Sequence, residues 1–119
     1  MSATEFLEHV INEGIEAAKK DYKEGTEKYK GAIDGFEACR NCESKELLEL
    51  YLIANEYVQN AYRENADNYW YFRCYQAEIE WVCNVVSAIL VNEGSAPILP
   101  HLPTVNGVLK ADEILKKYS

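Results

Sequence analysis

EFLEHVINEGIEAAKKDYKEGTEKYKGAIDGFEAC, residues 5–39, decides the fold. Leu7, Ile11, Ile15, Ala18, Tyr22, Gly25, Tyr29, Ala32, Phe36 and Cys39 recur at steps of three or four residues, which is one face of an α-helix. Glu8, Glu13, Lys19, Lys20, Lys23, Glu27, Lys28 and Lys30 lie between them as a solvated face. Ser2 or Thr4 can cap the start, and Glu5 and Glu8 suit the positive end of the helix dipole. Gly14, Gly25, Gly31 and Gly35 each weaken such a helix by roughly 1 kcal/mol. Two explanations compete. The helix breaks near Gly25, or Gly31 and Gly35 let a neighbouring helix approach closely. We favour one long helix over residues 3–40, bent near Gly25.

The same period continues downstream. Ser44 is a natural N-cap for a helix over 45–64, with Leu47, Tyr51, Ala54, Val58 and Ala61 on one side. Phe72, Tyr75 or Gln76, Ile79, Val82, Val86 and Ile89 mark another over 67–93, ended by Gly94. The polar passage Arg63 to Asn68 between them holds neither Gly nor Pro. We favour separation there over a single rod of about 48 residues, which would reach roughly 70 Å. Pro97, Pro100 and Pro103 make Ser95 to Pro103 extended. Thr104 then caps a last helix over 104–118, with Val108, Ala111, Leu115 and Tyr118 on one side. The expected fold is all-α: a bundle of three long helices plus a short C-terminal one, in one domain spanning residues 1–119.

Composition narrows the function. The chain has 119 residues, net charge −8 and 48% hydrophobic residues, too apolar for a disordered chain. The acidic balance disfavours direct nucleic-acid binding, which needs clustered Lys and Arg. No apolar run approaches the ~20 residues of a membrane span. The start lacks the basic-then-apolar pattern of a signal peptide, so a cytoplasmic protein is expected. The charge is diffuse: −3 over residues 1–40, −3 over 41–66, −3 over 67–93 and +1 over 94–119. A duplex mimic needs denser acid.

Cys39-Arg-Asn-Cys42 has zinc-ligand spacing. Cys74 and Cys83, however, are nine residues apart on one expected helix and fall on opposite faces. We read all four thiols as reduced, mostly buried small apolar groups, and expect no metal. Glu5, His9 and Glu13 line one face at four-residue steps, but the Glu-x-x-His pairs of a di-iron bundle are missing. No phosphate loop, dinucleotide motif or nucleophile elbow appears, so we expect neither an enzyme nor a cofactor.

The aromatics are concentrated. Nine of fourteen fall between residues 51 and 81, and Tyr69-Trp70-Tyr71-Phe72-Arg73 covers more than a helical turn. Such a run points in every direction, so some rings must meet solvent, a second subunit or a ligand. Phe72 and Trp81 are assigned to the core. Trp70, Tyr71 and Arg73 stand open between core and interface; Tyr, Trp and Arg are the residues enriched at binding hot spots. Arg73 is the lone base between Asp67 and Glu93, able to stack on rings or pair with an anion. A second candidate is the turn Thr104 to Gly107, where free N–H groups at a helix start can hold an anion; the alternative there is a stiff connector with an N-cap.

Glu80-Trp81-Val82-Cys83-Asn84-Val85-Val86-Ser87 and Pro103-Thr104-Val105-Asn106-Gly107-Val108-Leu109-Lys110 resemble, in texture, small helical proteins encoded by phages and prophages. No functional residue can be matched to a family motif. The resemblance implies an accessory protein that counters bacterial defence, either by blocking a host defence protein, as anti-CRISPR proteins do, or by sequestering a cyclic nucleotide signal. We therefore expect a non-enzymatic, homo-oligomeric binding protein acting in the host cytoplasm. Its expected binding residues are Tyr69, Trp70, Tyr71, Arg73, Thr104, Asn106 and Gly107. The alternatives are a nucleotide sponge with a pocket built from both groups across an oligomer interface, and a structural or assembly protein joined by its aromatics.

Overall fold

Gly25 ends the first helix rather than bending it. The computed structural model describes residues 1–101 and 103–119; Leu102, within the stretch expected to be extended, lies outside the described residues. Helix α1 spans Ala3–Asp21, and the Ser2 hydroxyl accepts the Glu5 N–H at 3.2 Å. Gly25 then takes φ +87°, a left-handed backbone costing an ordinary residue roughly 1–2 kcal/mol and glycine almost nothing. Thr26 restarts the chain: its hydroxyl accepts the Tyr29 N–H at 3.2 Å and opens α2, Glu27–Ala38. The long helix expected over 3–40 is thus corrected to two. They are fastened together by Arg40, which pairs with Glu8 of α1 and donates to Asn12 and Glu37.

Helix α3 spans Ser44–Arg63. Its cap is Glu43 rather than Ser44, with Glu46 accepting the Glu43 backbone N–H at 3.1 Å. Helix α4, Tyr69–Asn92, is separate from α3. Asn65 turns the chain between them at φ +49°, since Asn tolerates this conformation better than most side chains. Gly94, at φ +85°, follows α4, and α5 spans Val105–Tyr118. Among the described residues there is no strand, and no helix is long and apolar enough to cross a membrane.

Helix α4 is the axis of the fold. From Val82 to Ala88 every residue is buried, because helices cover it on all sides. Helix α2 runs parallel to it, with Gly31 over the backbone of Tyr71 and Gly35 over that of Tyr75. Helix α3 runs antiparallel: Tyr57 lies against Phe72, Asn55 accepts from Gln76 at 3.0 Å, and the Leu47 carbonyl meets the Cys83 thiol. The chain after α4 doubles back, with the Ile98 N–H donating to the buried Ser87 hydroxyl at 2.9 Å and Leu99 buried. Asn84 then takes the start of α5: its amide donates to the Thr104 hydroxyl and its carbonyl oxygen accepts the Thr104 N–H at 2.8 Å. Helix α5 buries Gly107, Ala111 and Ile114, a face turned from the expected Val108–Tyr118 line. Its far end lies on α1, with Tyr118 stacked on His9 at 3.7 Å and Lys110 and Lys117 both on Glu13 at 3.3 Å.

Candidate functional site

Helices α2 and α3 meet at the tight turn around Asn41 and diverge from it, each packed on α4 but not extensively on the other. Side chains of both reach the first turns of α4, where the aromatic run begins. The rings there form a sequence: Tyr57 tilts against Phe72 at 5.2 Å, Phe72 meets Tyr71 edge-on at 5.2 Å, and Tyr71 stacks with Tyr75 at 6.1 Å. These offset and edge-on arrangements suit the ring quadrupoles. The Tyr71 hydroxyl donates to Asp34 of α2 at 2.5 Å. Burial, then the bond to Asp34, pushes the Tyr71 hydroxyl well above its ordinary pKa, and burial pushes Tyr75 up as well. Both stay neutral donors.

At the outer end the rings continue into solvent. Tyr62 lies 6.0 Å from Tyr69, Tyr69 meets Trp70 edge-on at 5.2 Å, and the Lys28 ammonium sits 4.3 Å above the Trp70 ring. They border an open hollow of about 800 Å3 together with Ala61, Arg63, Asn65 and Asp67. Exposure is high: Tyr62 73%, Trp70 52%, Ile53 47% and Tyr57 46%.

Of the seven expected binding residues, the fold brings Tyr69, Trp70 and Tyr71 together in this wedge. Arg73 is exposed on another side of α4, where it lines a shallow groove of about 190 Å3 with Ala77, Glu80, Trp81 and Asn84. The Thr104 turn docks at Asn84, fourteen residues along α4 from Trp70, or about 21 Å at helical rise. One protomer therefore does not unite the two groups in a pocket. At that turn the Thr104 hydroxyl accepts both the Gly107 N–H at 3.1 Å and the Asn84 amide, Gly107 is buried, and Asn106 faces solvent. Phe72, expected in the core, is a half-buried member of the wedge, and Trp81 is half-buried at the core's edge. Sequence reasoning left out Ile53, Tyr57, Tyr62 and Asp34. Tyr57 and Tyr62 flank the apolar stripe of α3 on opposite sides, and Ile53, nine residues from Tyr62, faces away from it.

The cysteines are spoken for. The Cys39 and Cys42 thiols donate to the carbonyls of Gly35 and Ala38, both at 3.4 Å. Burial pushes the Cys83 thiol up to about 12 and Cys39 higher still. Among the described residues no group of three or more His, Cys, Asp or Glu side chains is arranged to hold a metal ion. Set against protein-family models, curated proteins and solved structures, the chain matches none of them.

Proposed function

We propose that the chain is a non-enzymatic binding protein that engages a protein partner through the aromatic wedge, and that it acts as a phage-type accessory factor blocking a bacterial defence protein. The observation that carries the first half is the pair of solvent-facing rings Tyr62 and Trp70, which border one hollow with Tyr69. These rings are amphipathic and held in place by neighbours, so little side-chain entropy is lost on binding. Asp67 lines the same hollow, and the net charge of −8 favours a partner with basic rims, as nucleic-acid-handling proteins have. The second half rests on the resemblance of residues 80–87 and 103–110 to phage-encoded helical proteins. The test is a plasmid-transformation assay in bacteria carrying active CRISPR–Cas or other defence systems. Expression of the chain should restore transformation by a targeted plasmid, and Tyr62→Ala with Trp70→Ala should abolish the rescue. Undiminished interference across the panel refutes the defence role.

A homo-oligomer is the second reading. Val105 and Leu109 are 77% and 61% exposed on the outer face of α5, an apolar strip suited to self-association. Analytical ultracentrifugation tests it, and a strict monomer at high micromolar concentration rules it out.

A further inference from the structure

A half-open cavity of about 440 Å3 lies between α1, α2, α4 and α5, and none of the wedge residues lines it. Its apolar wall is Ala17, Ala18, Phe36 and Trp81; its polar end is Asp21 and Glu78. The volume falls in the range of small-molecule sites, and an apolar body with a few convergent polar groups is their usual composition. Glu78 is the unusual member. It is half-buried on the central helix, beside the exposed Asp21, and among the described residues it has neither an ion pair nor a hydrogen bond. Lys110 also lines the cavity, but it is held by Glu13 and Glu113, both at 3.3 Å.

We propose that this cavity binds a small amphipathic amine, its ammonium group between the Glu78 and Asp21 carboxylates and its apolar body against Phe36 and Trp81. A cation there supplies the counter-charge the two carboxylates lack, and the Trp81 ring covers the apolar body. The amine must displace a proton. Burial, then the like charge of Asp21, raises the Glu78 carboxyl to about 7, so the binding-competent anion is scarce at pH 6 and dominant at pH 8. The other groups facing it change little over that interval. Tyr22 and Cys74 are pushed up by burial and stay neutral, and Glu13, whose burial is outweighed by Lys110 and Lys117, stays ionised.

The experiment is calorimetric titration of the intact chain with phenethylamine and hexylamine, with 1-hexanol as the uncharged control. Saturable binding of an amine, about tenfold tighter at pH 8 than at pH 6, is expected. Glu78→Gln should weaken binding at pH 8 at least tenfold and remove the pH dependence, while Ala17→Leu, which narrows the cavity and leaves the carboxylates, should also weaken it. No saturable amine binding, equal binding of hexanol, or unchanged affinity in Glu78→Gln overturns the proposal. If circular dichroism shows Glu78→Gln unfolded, Asp21→Asn and Ala17→Leu decide: weakened binding in both supports the site, and undiminished binding in either overturns it.

Discussion

Gly35 lies so close on the backbone of Tyr75 that a methyl group at its Cα would stand 2.6 Å from the Tyr75 carbonyl oxygen. Gly31 has the same relation to Tyr71, one turn earlier on both helices. The α2–α4 contact is therefore backbone against backbone, which places the Tyr71 hydroxyl within reach of Asp34.

Alanine at Gly31 or Gly35 sets two effects against each other. Helix propensity gains about 1 kcal/mol, while pushing apart two packed backbones loses about 1–3 kcal/mol. The clash is with main chain, which cannot rotate aside, so each substitution should destabilise, by about 2 kcal/mol for the pair. Urea denaturation measures this. Gly25→Ala should also destabilise, for a different reason: open space surrounds it, but its φ is left-handed.

Asn84 holds α5 by two bonds to Thr104. Thr104 is exposed and regains water when the bonds are lost, so Asn84→Ala should cost about 1 kcal/mol, the net worth of ordinary hydrogen bonds. The loss should appear locally, as faster amide hydrogen exchange across Val105–Tyr118 with α2 and α3 unaffected. Thr104→Ala removes the N-cap as well and should cost about 1 kcal/mol or more.

Glu78 makes stability pH-dependent with the opposite sign to a salt-bridged carboxylate. Its folded-state pKa, about 7, lies above the ordinary value of 4.5. Between these the folded chain binds more protons than the unfolded one, so this contribution is fully present below pH 4.5 and lost as pH rises through 7. Glu78→Gln should be more stable than the parent by about 1–2 kcal/mol at pH 8, and the difference should shrink towards pH 5. Thermal melts of both proteins across this interval measure it.

The thiols should differ in reactivity. Cys42 is half-exposed whereas Cys39, Cys74 and Cys83 are buried. Alkylation of the native protein, followed by mass spectrometry, should modify Cys42 first. Cys39 and Cys83, with pKa values raised by burial, should react only on the timescale of opening of the core.

Much of this architecture is legible in the spacing of apolar residues. The helical stripes, the Thr104 cap, the Gly94 stop and the close approach at Gly31 and Gly35 all follow from local rules. The break at Gly25 reads in sequence like a bend because the stripe runs on through it; only the left-handed φ and the Thr26 cap decide. The turn at Asn65 shows little in sequence because Asn there does what Gly does elsewhere. Asp34 on Tyr71 and Asn84 on Thr104 join residues far apart in the chain, which periodicity cannot pair. Glu78 was hidden for a similar reason: its surroundings come from α1, α2 and α5.

Helices α1 and α5 lie antiparallel, joined by His9 on Tyr118 and by Lys110 and Lys117 on Glu13, with residues 3 and 118 towards the same end. A force applied through residues 2 and 119 therefore opens this pair like a zipper, one contact at a time, rather than shearing it. Helix α5 should peel away first at low load. The glycine-seated pair α2 and α4, reached only afterwards, would be the mechanically resistant part of the molecule.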